Sequence, residues 1–285
     1  MSELSRVTRD CYNLNPHVDV MQMEDELVSN SRTRRGSAKL SEGVFRTFMD
    51  IAKTQNILEV GANDGRHTKL FLSETSCDIH AFEPNVHSAP FFSPIQDDPR
   101  LNLNLFGLSN QTRLLQLNIP VSIDGRSLKR VNGVTSFETL KRHDVHFEKT
   151  VAMVTTGSEY LETKFESSVP EFALWLDVEG HAVEALEGFG PHLSQASICM
   201  CEVEYPSNLY PIGPYGDVFS ADRAIRILES HGQKVIYRDF QNAGQGNIIS
   251  INRKYLHLKD KALSAADEFI QAVSTRFNRY AENSV

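Results

Sequence analysis

The sequence predicts an α/β fold, a mostly parallel sheet with helices on both faces that is closed by an antiparallel hairpin. Three stretches carry that expectation. From Asn56 to Asn85 an apolar run (Ile57-Leu58-Glu59-Val60) breaks into Gly61-Ala62-Asn63-Asp64-Gly65. It continues at helical spacing through Thr68, Leu70, Phe71 and Leu72, then returns to an apolar run, Ile79 to Phe82, that ends on Glu83. Strand, glycine turn, helix, strand, acid is the βαβ plan of a nucleotide-binding half-domain. From Phe172 a second apolar run ends in Asp177-Val-Glu179-Gly180-His181 and passes into Ala182, Val183, Leu186 and Phe189 at helical spacing. Finally, Gln233 to Tyr237 and Asn247 to Ile251 read as a hairpin around a Gly-containing loop.

Taken in order, residues 1–44 are polar and mixed, with a short helix expected over Val20 to Leu27 and a basic, flexible stretch at Ser31-Arg-Thr-Arg-Arg-Gly36. That stretch reads as a solvated linker or as a lid whose Arg32, Arg34 or Arg35 meets an anionic substrate. Val44, Phe45, Phe48, Ile51 and Ala52 recur at helical spacing, so this helix should pack on the sheet before the first strand. Leu101, Leu103 and Leu105 alternate with Asn102 and Asn104 as a third strand, ending at Gly107-Leu108-Ser109-Asn110. Leu114 to Val121 and Thr150 to Val154 read as further strands, and Ser158 to Phe165 as a short helix. His143 and His146 flank Asp144 without a third ligand at metal spacing, which favours a surface role. Ser197 to Val203 is a strand closed by Glu202 and Glu204. The loop Tyr205 to Gly216 carries tyrosines that suit a sugar ring, or equally a loop packed on itself. Ala221 to Ser230 is an amphipathic helix, and Lys259 to Tyr280 a helical tail that covers the sheet or mediates a dimer.

These boundaries predict an N-terminal helical and flexible extension (1–44), a catalytic domain (45–255) and a C-terminal helical tail (256–285). Hydrophobic residues make up 40% of the chain and charged residues 23%, enough apolar content for a sizeable core. The net charge of −8 and pI near 5.7 argue against a general nucleic-acid binder. No apolar run approaches the roughly 18 residues of a membrane span, and the first residues lack a signal-peptide core, so a cytoplasmic location is expected. The four cysteines, Cys11, Cys77, Cys199 and Cys201, have no zinc spacing and read as structural thiols.

The glycine turn decides which ligand the βαβ unit takes. A dinucleotide fold wants GxGxxG with the pyrophosphate on the helix N-terminus. Here Asn63 stands where the middle glycine would be, and Asp64 at the helix mouth would repel a pyrophosphate. The acidic Glu59-x-Gly61 suits a cationic ligand, the sulfonium and amino group of S-adenosylmethionine. NAD, in an oxidoreductase, is the alternative cofactor. Glu83 lies about as far beyond the first glycine as a ribose acid does, roughly 20 residues, and can accept hydrogen bonds from both ribose hydroxyls. Ser109 and Asn110 are candidates for the polar edge of adenine, or a plain turn.

Ligands of open α/β sheets bind outside the carboxyl ends of the strands. That places Asp177, Glu179 and His181 at the edge that holds Gly61 and Glu83, with Glu202 beside them. Methyl transfer to a hydroxyl needs a base near the methyl group. Asp177 or His181 is the candidate base, with Glu179 and Glu202 as orienters. The acids Asp177, Glu179 and Glu202 also offer oxygen ligands for Mg²⁺, although no metal is expected. A non-catalytic scaffold that binds adenosylmethionine is the remaining reading.

Three stretches together resemble the FkbM family of adenosylmethionine-dependent methyltransferases. They are Glu59-Val-Gly-Ala-Asn-Asp-Gly65 with Thr68, Ala81-Phe-Glu-Pro84-Asn85, and Leu176-Asp-Val-Glu-Gly-His181 followed by Leu186-Glu-Gly188. Leu108-Ser-Asn110, Thr135-Ser136 and Glu202 are weaker echoes. The resemblance implies a class I methyltransferase (Rossmann-like) fold of seven strands, with the final hairpin supplying the antiparallel strand. It also implies O-methylation of a hydroxyl on a sugar, glycan or related natural product. By position, Glu59, Gly61, Asn63 and Gly65 would hold the methionine end, Glu83 the ribose, and Ser109 and Asn110 would approach the adenine; Ala62, Thr68 and Pro84 are further cofactor-binding candidates. The expected partner is a small-molecule or glycan acceptor, with a homo-oligomer allowed.

Overall fold

The computed structural model describes residues 31–123, 126–127, 135–137, 145–166, 168–204, 220–238 and 245–259. Cys11, the helix expected over Val20 to Leu27, His143 and Asp144, the tyrosine loop 205–216 and the tail beyond 259 lie outside these residues. Seven strands form the main sheet: β1 (Asn56–Val60), β2 (Asp78–Phe82), β3 (Leu101–Asn104), β8 (Phe172–Leu176), β9 (Ala196–Glu204), β10 (Gln233–Arg238) and β11 (Gln245–Asn252). Their order is β3-β2-β1-β8-β9-β11-β10. All neighbours are parallel except β11, which runs antiparallel to both β9 and β10. This is the class I methyltransferase sheet, reversed final strand included. β1 and β8 are buried at every position, as central parallel strands covered on both faces must be.

Two apolar layers cover the sheet. On one face lie α1 (Ser31–Ala52) and α2 (Arg66–Glu74), where Val44, Phe45, Phe48, Met49 and Phe71 pack on Ile57, Trp175 and Met200. On the other lie α3 (Gly157–Phe165), α4 (Ala182–Phe189) and α5 (Ala221–Ser230), where Leu161, Leu186, Phe189 and Leu228 pack on Leu58, Leu174 and Cys199. Cys77, Cys199 and Cys201 are buried free thiols. Among the described residues, no helix is long and apolar enough to cross a membrane.

Helix α1 differs from the flexible stretch expected before Val44. It is one 22-residue helix that starts at Ser31, so the 44/45 boundary falls inside it. Its direction follows from two contacts. Thr54 Oγ1, just past its end, lies 2.8 Å from Ser197 Oγ at the start of β9. Asn247 Nδ2, on the residue paired with Glu202, donates to Ser41 Oγ at 3.1 Å. The helix therefore runs antiparallel to β9, and its ten residues before Ser41 extend the helix about 15 Å along its own axis from that contact.

A second sheet was not expected. β4 (Gly107–Leu108), β5 (Arg113–Ile123), β6 (Arg126–Ser127) and β7 (Val145–Thr155) pair in the order β4-β7-β5-β6. Leu114 to Val121, read as a further strand, lies within β5, which pairs antiparallel with β7 from Arg113↔Val154 to Ile123↔Val145. Its inner side is a small apolar cluster of Leu117, Ile119 and Ala152 with Phe137. The second sheet is inserted between β3 and α3 and stands over the carboxyl edge.

Helix α4 is seated on this insertion by a close approach. A Cβ on Gly188 would lie 2.0 Å from the carbonyl oxygen of Ser109. Gly188→Ala is therefore expected to lower stability by about 1–3 kcal/mol, the range for overpacking a tight contact, as measured by urea unfolding.

Candidate active site

The turn after β1 is held from two sides. Gly61 and Ala62 donate backbone N–H groups to Phe82 O, at 2.9 and 3.0 Å, so the turn is clamped to the tip of β2. Asp177 N donates to Val60 O at 2.9 Å, which carries the β1–β8 ladder one step beyond the strands. Gly61 has φ +90, and a Cβ there would lie 1.8 Å from Asp177 O. Only glycine meets both demands. Asn63 (φ 48) continues the left-handed turn, and its N–H donates to Glu83 Oε2 at 2.8 Å.

Glu83 is buried, and its second oxygen, Oε1, accepts from Asn85 N at 2.7 Å. Burial pushes its carboxyl up to about 7 against the opposing pull of these two N–H groups. Each oxygen retains a lone pair for a ribose hydroxyl. Glu59 sits differently. It is 1% exposed, and Thr68 Oγ1 donates to its Oε2 at 2.6 Å. Burial raises it to about 8, with smaller opposing help from Thr68. Glu59 and Thr68 thus pair with each other beneath the turn and do not line the cavity.

That cavity is lined by Gly61, Asn63, Glu83, Pro84, Asp177 and Glu179, together with Val60, Phe82, Gly107, Leu108, Leu117, Thr135, Phe137 and Val178. The first group contains residues marked by the sequence. Leu117, on β5, and Phe137, between β6 and β7, were not marked, because their approach to the edge is a matter of topology; Phe82 appeared only within its motif, with no role. Thr135 was visible only as a weak motif echo. Ala62 and Gly65 shape the turn from behind, Ala62 in the small cluster with Ala81 and Phe92, and Gly65 against the Phe92 ring.

Ser109, Asn110 and His181 lie behind the wall. His181 Nε2 is 3.0 Å from Ser109 Oγ, both residues are buried, and the imidazole packs on Phe137 with centroids 5.0 Å apart. Asn110 Nδ2 donates to Glu187 Oε2 at 3.1 Å. The histidine considered as a base and the serine considered for adenine are thus hydrogen-bonded to each other.

Asp177, Glu179 and Glu202 converge, each presenting a carboxylate oxygen within 4.8 Å of the others. Glu202 shares a side-chain hydrogen bond with Asp177. Gln245, on β11, donates its amide nitrogen to Glu179 Oε2 at 3.1 Å and to Glu202 Oε1 at 3.3 Å. Burial, then the charge of Glu179, push Asp177 up to about 7, opposed by Glu202 and by Arg66. Glu204, buried beside them, accepts from Ser220 Oγ and is raised to about 7, chiefly by burial. The edge therefore offers a cradle for a nucleoside next to a proton acceptor poised near neutrality.

Comparison with known proteins bears on the cofactor. A family model, the methyltransferase FkbM domain, matches residues 59–235. No curated protein matches the chain. Among solved structures, EvdMO1 is similar at 12% identity and TM-score 0.39, over 75% of this chain and 40% of that one. Fibrillarin from Aeropyrum pernix, solved with natively bound S-adenosyl-L-methionine, is similar at 11% identity and TM-score 0.38, over 70% of this chain and 66% of that one. A putative O-methyltransferase from Klebsiella pneumoniae is similar at 12% identity and TM-score 0.38, over 87% and 89% of the two chains. The chain thus spans less than two thirds of the length of the first two, and at these scores no substrate follows from any of them. The family model covers well over half of the chain, its match begins at Glu59, and NAD falls away as the alternative cofactor. The chain belongs to the FkbM methyltransferase family.

Proposed function

We propose that this enzyme methylates a hydroxyl oxygen on a sugar, glycan or related natural product, with Asp177 as the general base. The observation that carries the reading is the Asp177 carboxyl, which lines the same cavity as Gly61 and Glu83 with its proton affinity raised to about 7. A base of that strength is half-ionised at neutral pH and strong enough to take a hydroxyl proton as the bond to carbon forms. In the step, the acceptor oxygen attacks the methyl carbon in line. The sulfur–carbon bond breaks with its electron pair left on sulfur, and the acceptor proton passes to Asp177. Products are the methyl ether, neutral S-adenosylhomocysteine and a protonated carboxyl.

Glu179 and Glu202 serve as hydrogen-bond acceptors that orient the acceptor, a role that suits a polyhydroxylated molecule. His181 is the weaker base candidate, because it is buried against Ser109 and Phe137 and does not line the cavity. Within the donor half, Glu83 holds the ribose hydroxyls through its remaining lone pairs, with Pro84 beside it. Gly61 and Asn63 bracket the methionine end, while Glu59 and Thr68 support the turn from below. A clustered set of acids beside the cofactor is hard to account for in a scaffold that transfers nothing.

Asp177→Asn is expected to lower turnover about 100-fold or more while cofactor affinity stays within a few-fold. The assay is S-adenosylhomocysteine release with pooled nucleotide sugars and glycan extracts; full turnover by the variant removes Asp177 as base. Because the base acts ionised, the wild-type rate should climb as pH rises through about 7 and fall away below it.

The sulfonium supplies a second handle. A positive charge beside Asp177 favours its ionised form, so cofactor binding near pH 7 is expected to release protons. Calorimetry in two buffers of different ionisation enthalpy reads this release. S-Adenosylhomocysteine, which lacks the charge, should release fewer protons, and equal release by the two ligands would count against Asp177 facing the methyl group.

A further inference from the structure

Between β6 and β7, residues Thr135–Phe137 reach Asn85, Glu179 and the cavity, although the sequence marks Thr135-Ser136 only as a weaker echo and Phe137 not at all. Asn85 Nδ2, two residues past the ribose acid, donates to Thr135 Oγ1 at 3.4 Å. Ser136 exchanges two backbone hydrogen bonds with Asn118 of β5, at 2.9 and 3.1 Å. Its hydroxyl donates to the carbonyl of Glu179 at 2.8 Å. Glu179 has φ 48, a left-handed conformation uncommon outside glycine and asparagine, and this bond acts on that turn beside the bond from His181 N to Val178 O at 3.3 Å. The Phe137 ring lines the cavity in company with Phe82, Gly107, Leu108 and Leu117.

We propose that this three-residue strap is both the adenine wall and the link from adenine to the acceptor loop: Phe137 lies against the base, and Ser136 fixes Glu179. The inference rests on the family's cofactor and not on the acceptor or on Asp177 as base. The cavity lining combines three acids, Glu83, Asp177 and Glu179, which suit the ribose and the sulfonium, with apolar residues and the aromatic ring of Phe137, which suits the flat face of adenine. Position 107 leaves space for that ring, since a Cβ there would come within 3.0 Å of Phe137 Cε2 and Cζ. His181 backs the ring from outside the cavity, and Ser109 holds His181. Ser109 therefore serves the adenine end through Phe137 and not by direct contact.

The test needs no acceptor. The probes are 5′-methylthioadenosine, which has the adenosine end without the amino acid, and S-adenosylhomocysteine. Phe137→Leu is expected to weaken both to a similar extent, by roughly tenfold for a lost base–aromatic contact, whereas Phe137→Trp keeps the affinity. In the wild type the adenine H2 and H8 resonances of bound S-adenosylhomocysteine move upfield in the ring current; Phe137→Leu, saturated with ligand, loses that shift. A purely structural role for Phe137 would change stability but would leave the shift of the bound ligand in place. Ser136→Ala is expected to bind 5′-methylthioadenosine within twofold of wild type. It should nevertheless lose the slowing of amide deuterium exchange that the ligand confers on residues 178–181. Unchanged adenine shifts in Phe137→Leu, or ligand protection of 178–181 retained in Ser136→Ala, would overturn the proposal.

Discussion

The contact between Gly61 and the carbonyl of Asp177 governs the rest of this structure. β1 and β8 are neighbours in the sheet, and their ladder continues through Asp177 N to Val60 O before the chains part. The donor turn and the acceptor loop are therefore two lips of one seam, separated by less than the width of a side chain. Any residue other than glycine at 61 would both strain its backbone at φ +90 and push the lips apart. The distance between the glycine turn and the acids facing it is thus set by backbone geometry, which is stiffer than any pair of side chains.

The seam concentrates acids that burial opposes. Glu59, Glu83, Asp177 and Glu204 all hold their protons more tightly than they would in water, mainly through desolvation. Raised folded-state values mean that the native chain binds more protons than the unfolded one across the window from about 4.5 to about 7–8. The associated stability is fully present below that window and is lost as pH rises through it. A neutral solution is therefore a compromise in which the site becomes competent as the fold gives up part of its margin. Cofactor binding offsets that loss by mass action and by bringing a cation to the carboxylates.

Much of this was legible in the sequence, for a local reason. Gly61, Asn63 and Glu83 belong to one βαβ unit, and Asp177 with Glu179 to one strand end, so short-range spacing sufficed to place them. The closing hairpin followed from its own strand pattern, and the seven-stranded sheet with a reversed strand from the family resemblance that the motifs carry. What stayed hidden depends on non-local pairing. Leu114 to Val121 has the alternation of any half-buried strand, and alternation does not say which sheet a strand joins. Phe137 and Leu117 carry no motif and gain meaning only when the second sheet folds over the edge. Gln245 looked like part of a hairpin turn, yet its side chain bridges Glu179 and Glu202. The basic stretch before Val44 was read as flexible because it is polar, although it extends α1. His181 shows a further limit: a histidine at a strand tip fits a base, and only coordinates reveal that it backs Phe137.

The second sheet leaves the main sheet at β3 and returns at α3, so it enters and exits on the same side of an unbroken β3-β2-β1-β8 core. Closing a longer loop costs only logarithmically more chain entropy, so the length of this excursion can drift with little thermodynamic penalty. Among the described residues, the excursion meets the rest of the site through the strap, the Gly188 approach and the bonds of Ser109 to His181 and of Asn110 to Glu187, and a replacement would have to preserve those anchors. The architecture separates a part that must stay fixed from a part that is free to diverge. Within such a family, new acceptors would then arise by exchanging the excursion as a cassette, without reinventing the chemistry beneath it.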